Sequence, residues 1–263
     1  MRIAGVGQAV FAATMIGIGV AGFVARDFAP IWQPVPKTLP AREALVHATA
    51  LLSLATGIGL LVPRVAARSA GVLLAALALW LLAFKLRFVV RAPLSVVSYE
   101  TCSETIVLVA AAWTLFATVV PRPARPWPAF AAGERGVRLA RVPYGLALIA
   151  FGVAHFAYLA QTAALVPSWL PAPTAWASLT GATYIGAGIA ILGGIGARLA
   201  ATLSALQMGG FTLLVWVPTL FAGPSTDQWN EFVVSWALTA AGWVVADAYR
   251  GRAGFARETP VGT

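Results

Sequence analysis

Two histidines, one cysteine and nine carboxylates are the metal-ligating and readily titrating groups from which this 263-residue chain could build a reactive centre. A thiol–disulfide relay within one chain needs a second thiol, and Cys102 stands alone, so neither an internal disulfide nor a C-x-x-C relay can form within the chain. No G-x-S-x-G, no phosphate-cradling glycine loop and no clustered metal motif occurs. His47 and His155 could in principle ligate a haem axially, but no other residue marks a haem site. The chain therefore reads as a protein with no metal, no certain cofactor and no catalytic activity of its own, which leaves binding as its chemistry.

Polar residues at the edges of apolar stretches form two candidate sets. The first is His155 with Trp169, Tyr184, Asp227, Trp229 and Glu231, all expected near one membrane face. Ionisable groups at membrane depth are costly and mark sites by default, so this set reads as a ligand-facing cluster. The alternative is a helix-end histidine with interfacial aromatic anchors and a solvated loop. The second set is Lys85, Arg87 and Arg91 followed by Glu100, Cys102 and Glu104. Arg87/Arg91 and Glu100/Glu104 are each spaced i,i+4, so each pair shares a helix face. Inward-facing arginines would make an anion-binding mouth; snorkelling arginines and an ion-paired hairpin are the other reading.

What must position these residues is a membrane bundle. Hydrophobic residues make up 60% of the chain and charged residues 10%, with a mean hydropathy of +0.83. A water-soluble fold has too little polar surface at that composition. A span needs about 20 mainly apolar residues, and the charge-free stretches predict eight, near 5–25, 44–62, 69–88, 102–120, 142–160, 176–194, 199–219 and 232–249. Lipid cannot satisfy free backbone groups, and the alternating polarity of a barrel is missing, so all are helices. A cleaved signal peptide is the alternative reading of the first.

The sequence also repeats itself. V-P-x-x-L-P-A occurs at 35–41 and again at 166–172, and Gly57, Ala67-Arg68 and Trp113 recur at nearly the same offset as Gly188, Ala197-Arg198 and Trp243. This predicts two parallel four-helix repeats, 1–120 and 142–250, joined by a basic, proline-rich cytoplasmic linker over 121–141 and followed by a tail over 251–263. Helix-spaced Gly145/Gly152, Gly181/Gly188 and Ala110/Ala117 read as close-packing positions. Twelve basic residues fall on one side, among them Arg2, Arg64, Arg68, Arg135, Arg138, Arg141, Arg198 and Arg250, so that side and both termini are expected in the cytoplasm. The net charge of +9 is then a topology signal; the lipid bilayer is the expected partner and nucleic acid is excluded.

The second repeat carries a resemblance. Gly152-Val153-Ala154-His155-Phe156, residues 165–173, Leu179-Thr180-Gly181-Ala182, Ala187-Gly188-Ile189 and Ala197-Arg198-Leu199-Ala200 are similar in order and spacing to the DoxX-like family of four-helix bacterial membrane proteins. The resemblance implies a tandem four-helix bundle in a bacterial inner membrane, linked to redox complexes as a quinone-binding or accessory subunit. Many family members have a carboxylate where this chain has Tyr184-Ile185, so a proton-handling role does not carry over to that position. An outward-facing binder or transporter of a small or lipid-like molecule, or a structural assembly partner, is the alternative that the residues allow.

Overall fold

The computed structural model describes residues 5–120 and 129–250, and these fold into nine helices with no strand among them. They are α1 (Val6–Ala25), α2 (Arg42–Leu61), α3 (Ala66–Arg91), α4 (Val96–Val119), α5 (Gly133–Ala157), the short α6 (Leu159–Ala164), α7 (Pro173–Gly193), α8 (Ala197–Phe221) and α9 (Thr226–Asp247). All but α6 and α9 are long and apolar enough to cross a membrane, which makes this a multi-pass membrane protein. α9 spans 22 residues but carries Asp227, Glu231 and Asp247, and it is not among those seven.

Neighbour relations run in a closed ring. α1 packs on α2, α2 on α3, α3 on α4, α4 on α5, α5 on α7, α7 on α8, α8 on α9, and α9 returns to α1. α4 and α9 also touch across the middle. α4 is accordingly the most enclosed of the seven apolar helices. The ring closes between α1 and α9 through polar bonds as well as packing: the Gly7 amide donates to Asp247 Oδ2 at 2.8 Å, and Trp236 Nε1 donates to Thr14 Oγ1 at 3.0 Å.

Glycine sets the closest crossings. Gly145 and Gly152 on α5 face Gly188 and Gly181 on the antiparallel α7, and a Cβ on Gly152 would stand 2.5 Å from the Gly181 carbonyl oxygen. α1 and α2 meet in the same manner, with Gly19 against Ala50 and Leu54, and Gly57 against Ala12 and Ile16. Where no hydrophobic force drives helices together in lipid, such backbone approach supplies the packing energy.

The helix ends differ from the sequence expectation mainly at α5, which begins at Gly133 instead of near 142. Arg135, Arg138 and Arg141 are spaced by three and continue the helix, their long stems letting the charges reach water while Glu134 suits the first turn. The linker expected over 121–141 is thus partly helical; residues 121–128 and the tail over 251–263 lie outside the described residues. α3 and α8 each contain one π-helical turn, Leu81–Lys85 and Thr212–Trp216. α9 starts with a capping box in which Ser225 Oγ accepts from the Gln228 amide and the Gln228 side chain accepts from the Ser225 amide. Ser225→Ala is expected to cost about 1 kcal/mol, read as a lower midpoint in detergent unfolding.

Candidate ligand-binding cavity

The C-terminal end of α5 and the N-terminal ends of α4 and α9 lie at one end of the bundle, the end that also carries both V-P-x-x-L-P-A loops. A cavity of about 190 Å³ opens there between α4, α5, α7, α8 and α9. Its polar lining includes Glu100 and Glu104 from α4, His155 from α5, Tyr184 from α7, and Glu231 and Ser235 from α9, with Tyr158 and Thr162 at the rim. Phe151, Met208, Phe211, Trp216 and Leu238 form apolar walls. Spaced i,i+4, Glu100 and Glu104 project from one face of α4, and each interacts electrostatically with Glu231 across the cavity.

His155 is held in a defined orientation. Its Nδ1 lies 2.8 Å from the Phe151 carbonyl oxygen, one turn back on α5. A carbonyl can only accept, so Nδ1 carries a proton, and in the neutral ring Nε2 is then the acceptor. That Nε2 is buried and has no hydrogen-bond partner. The ring stands edge-on to Tyr184, with centroids 5.4 Å apart, and to Phe211 at 5.7 Å and 89°. Gly181 makes room for it, since a Cβ there would lie 2.9 Å from His155 Cβ. Hydroxyls apart, the side-chain groups that converge here, His155 Nε2 and the three carboxylates, accept hydrogen bonds when the ring is in this tautomer and the acids are ionised.

A second, larger hollow of about 370 Å³ adjoins the first and shares Thr162, Leu165 and Phe211 with it. Val166, Pro167, Trp169, Leu170, Trp176 and Leu214 give it almost wholly apolar walls. A polar chamber leading into an apolar groove is the arrangement that holds an amphipathic molecule, head in one and tail in the other.

The sequence-predicted residues divide. His155, Tyr184 and Glu231 share the cavity, while Trp169 lies in the apolar groove beside it. Asp227 and Trp229 are exposed on the first turn of α9 and line neither space; the Trp229 ring packs on Phe232 at 5.7 Å. Arg91 is exposed, and Arg87 lies with its guanidinium 5.0 Å from the Phe88 ring; neither lines the cavity. His47 sits exposed on α2, its Nδ1 bonded to the Glu43 carbonyl. Glu100 and Glu104 are the site residues that sequence reasoning placed apart, and their i,i+4 spacing inside an apolar helix was the signal. Lys85, fully buried in the π turn of α3, interacts with Glu104 and with Cys102, itself buried. Among the described residues no group of three or more His, Cys, Asp and Glu side chains is arranged to hold a metal ion.

Comparison with protein-family models, with curated proteins and with solved structures gave no match.

Proposed function

We propose that the chain is a bacterial inner-membrane protein of DoxX-like type that binds the polar head of a quinone-class amphipathic molecule in this cavity and its tail in the adjoining groove. The observation that carries the reading is the convergence of His155 and Glu231 with Glu100 and Glu104 on one chamber that opens onto an apolar groove. Such a binder would serve a redox complex as an accessory subunit. The carboxylates favour one second reading, a binder or transporter of an amphipath with an amine or other cationic head. Solvent extraction of the purified protein followed by mass spectrometry separates the two. An isoprenoid quinone at near one per chain is expected; its consistent absence would sink the first reading, and a co-purified organic cation would favour the second.

In this proposal α9 is an eighth span and the chain is a tandem repeat. Several coincidences at an offset of 131 support that reading. Ala41 and Ala172, the last residues of the two V-P-x-x-L-P-A loops, both adopt left-handed backbone conformation, with φ of 54° and 55°. The π turns Leu81–Lys85 and Thr212–Trp216 are separated by the same interval. The first helix of each repeat packs on the last helix of the other, α1 on α9 and α5 on α4, as a pseudo-two-fold axis between α4 and α9 requires.

The arginine distribution supports cytoplasmic termini, and with that orientation the cavity would face outward. Buried Cys102 is a poor reporter, so the test uses introduced cysteines on a Cys102→Ala background. Leu94→Cys, at an almost fully exposed site between α3 and α4, should react with a membrane-impermeant maleimide in intact spheroplasts. Arg64→Cys should react only after lysis. The opposite pattern overturns the orientation.

A further inference from the structure

The corner that is open in the second repeat is filled in the first by the chain's own tryptophan. Residues 28–32 turn inward after α1, and Trp32 is 1% exposed. Its Nε1 donates to Ser53 Oγ on α2 at 3.1 Å, its ring stands edge-on to Trp80 on α3 at 5.2 Å, and Trp80 Nε1 donates to the Trp32 carbonyl at 3.0 Å. The same segment rests on α9.

Adding 131 to Ser53 and to Trp80 gives Tyr184 and Phe211, which line the cavity, with α4 standing where α9 stands in the first repeat. No inward segment occupies that place in the second repeat, because the stretch after α5 forms helix α6 at its rim. His155 fills part of the corner, and a cavity of about 190 Å³ remains. Roughly 150 Å³ accommodates a benzene ring.

Resting on the repeat and on the amphipath-binding reading above, we infer that the cavity takes a planar aromatic ring bearing a hydrogen-bond donor, seated edge-on to Phe211 as Trp32 is seated on Trp80. The donor points at the acceptors already described, His155 Nε2 and the glutamates, as the Trp32 N–H points at Ser53. Within the quinone class this favours the reduced, hydroxyl-bearing form. A second unpartnered polar group borders the same corner: the Thr105 hydroxyl, on a residue 1% exposed, has no hydrogen-bond partner and lines a void beside Glu104 just large enough for one water.

The test is equilibrium dialysis of the full-length protein in detergent against 1-naphthol and its saturated counterpart, decahydro-1-naphthol. Naphthol is expected to bind once per chain, three- to tenfold more tightly than the saturated alcohol. Phe211→Leu, which keeps an apolar side chain and removes the ring, should abolish that preference. Equal binding of the two alcohols overturns the aromatic assignment while leaving an amphipath site standing. A preference that survives Phe211→Leu overturns it as well, and no binding of either alcohol removes both the inference and the reading beneath it. The wild-type comparison decides even if the variant fails to fold.

Discussion

Gly152→Ala is expected to cost about 1–3 kcal/mol, read as a lowered midpoint in detergent or thermal unfolding, whereas Gly186→Ala raises stability by about 0.5–1 kcal/mol. One methyl group decides the difference. A Cβ on Gly152 would lie 2.5 Å from the Gly181 carbonyl oxygen and equally near Ile185, so α5 and α7 have to separate along their whole crossing. Backbone on the far side cannot rotate out of the way as a side chain can. Gly186 is on the exposed face of α7 with nothing within 4 Å of an added methyl, so alanine there only restricts the unfolded chain and improves helix propensity. Gly188→Ala should behave like Gly152→Ala, because its Cβ would meet the Gly145 carbonyl oxygen at 2.5 Å. Equal midpoints for Gly152→Ala and Gly186→Ala would show that the crossing does not depend on backbone contact.

The close-packing role of these glycines was legible in the sequence, because four glycines at seven-residue spacing on two neighbouring helices have few other uses in a membrane bundle. The helical stretches were legible for a similar reason: lipid imposes length and apolarity directly on the chain. Helix ends were less so. Arginines at the start of α5 look like loop by composition, yet their stems can run along a helix that leaves the bilayer. The cavity was only half legible. Spacing placed Glu100 and Glu104 on one face of α4 without saying which way that face turns, and its direction is fixed by packing against α5 and α9, a tertiary arrangement that spacing along one helix does not encode. Glu100 and Glu104 from one candidate set and His155, Tyr184 and Glu231 from the other form one lining because α4 and α9 meet in the middle of the ring. Asp227 and Trp229 were grouped with Glu231 by proximity along the chain; Trp229, two positions from Glu231, faces the other side of the helix, while Asp227 shares the Glu231 face but lies one turn nearer the exposed start of α9, outside the cavity.

Replacing His155 by phenylalanine should weaken binding of a short-chain naphthoquinol by about 1–3 kcal/mol, a loss of roughly five- to 150-fold. Phenylalanine is chosen over alanine because it preserves the edge-on contacts with Tyr184 and Phe211 while removing Nε2, the buried acceptor without a partner. The lost Nδ1 bond to the Phe151 carbonyl is a local, same-helix contact, so the unfolding midpoint should move little. His155→Ala removes both the acceptor and the ring, and should lose at least as much affinity with a larger drop in stability from the space left between α5, α7 and α8. The pair of variants therefore separates hydrogen bonding from packing. If the naphthoquinol binds His155→Phe as tightly as the unaltered protein, His155 is a packing residue at the end of α5, and the acceptors that orient the ligand must be the glutamates of α4 and α9 alone.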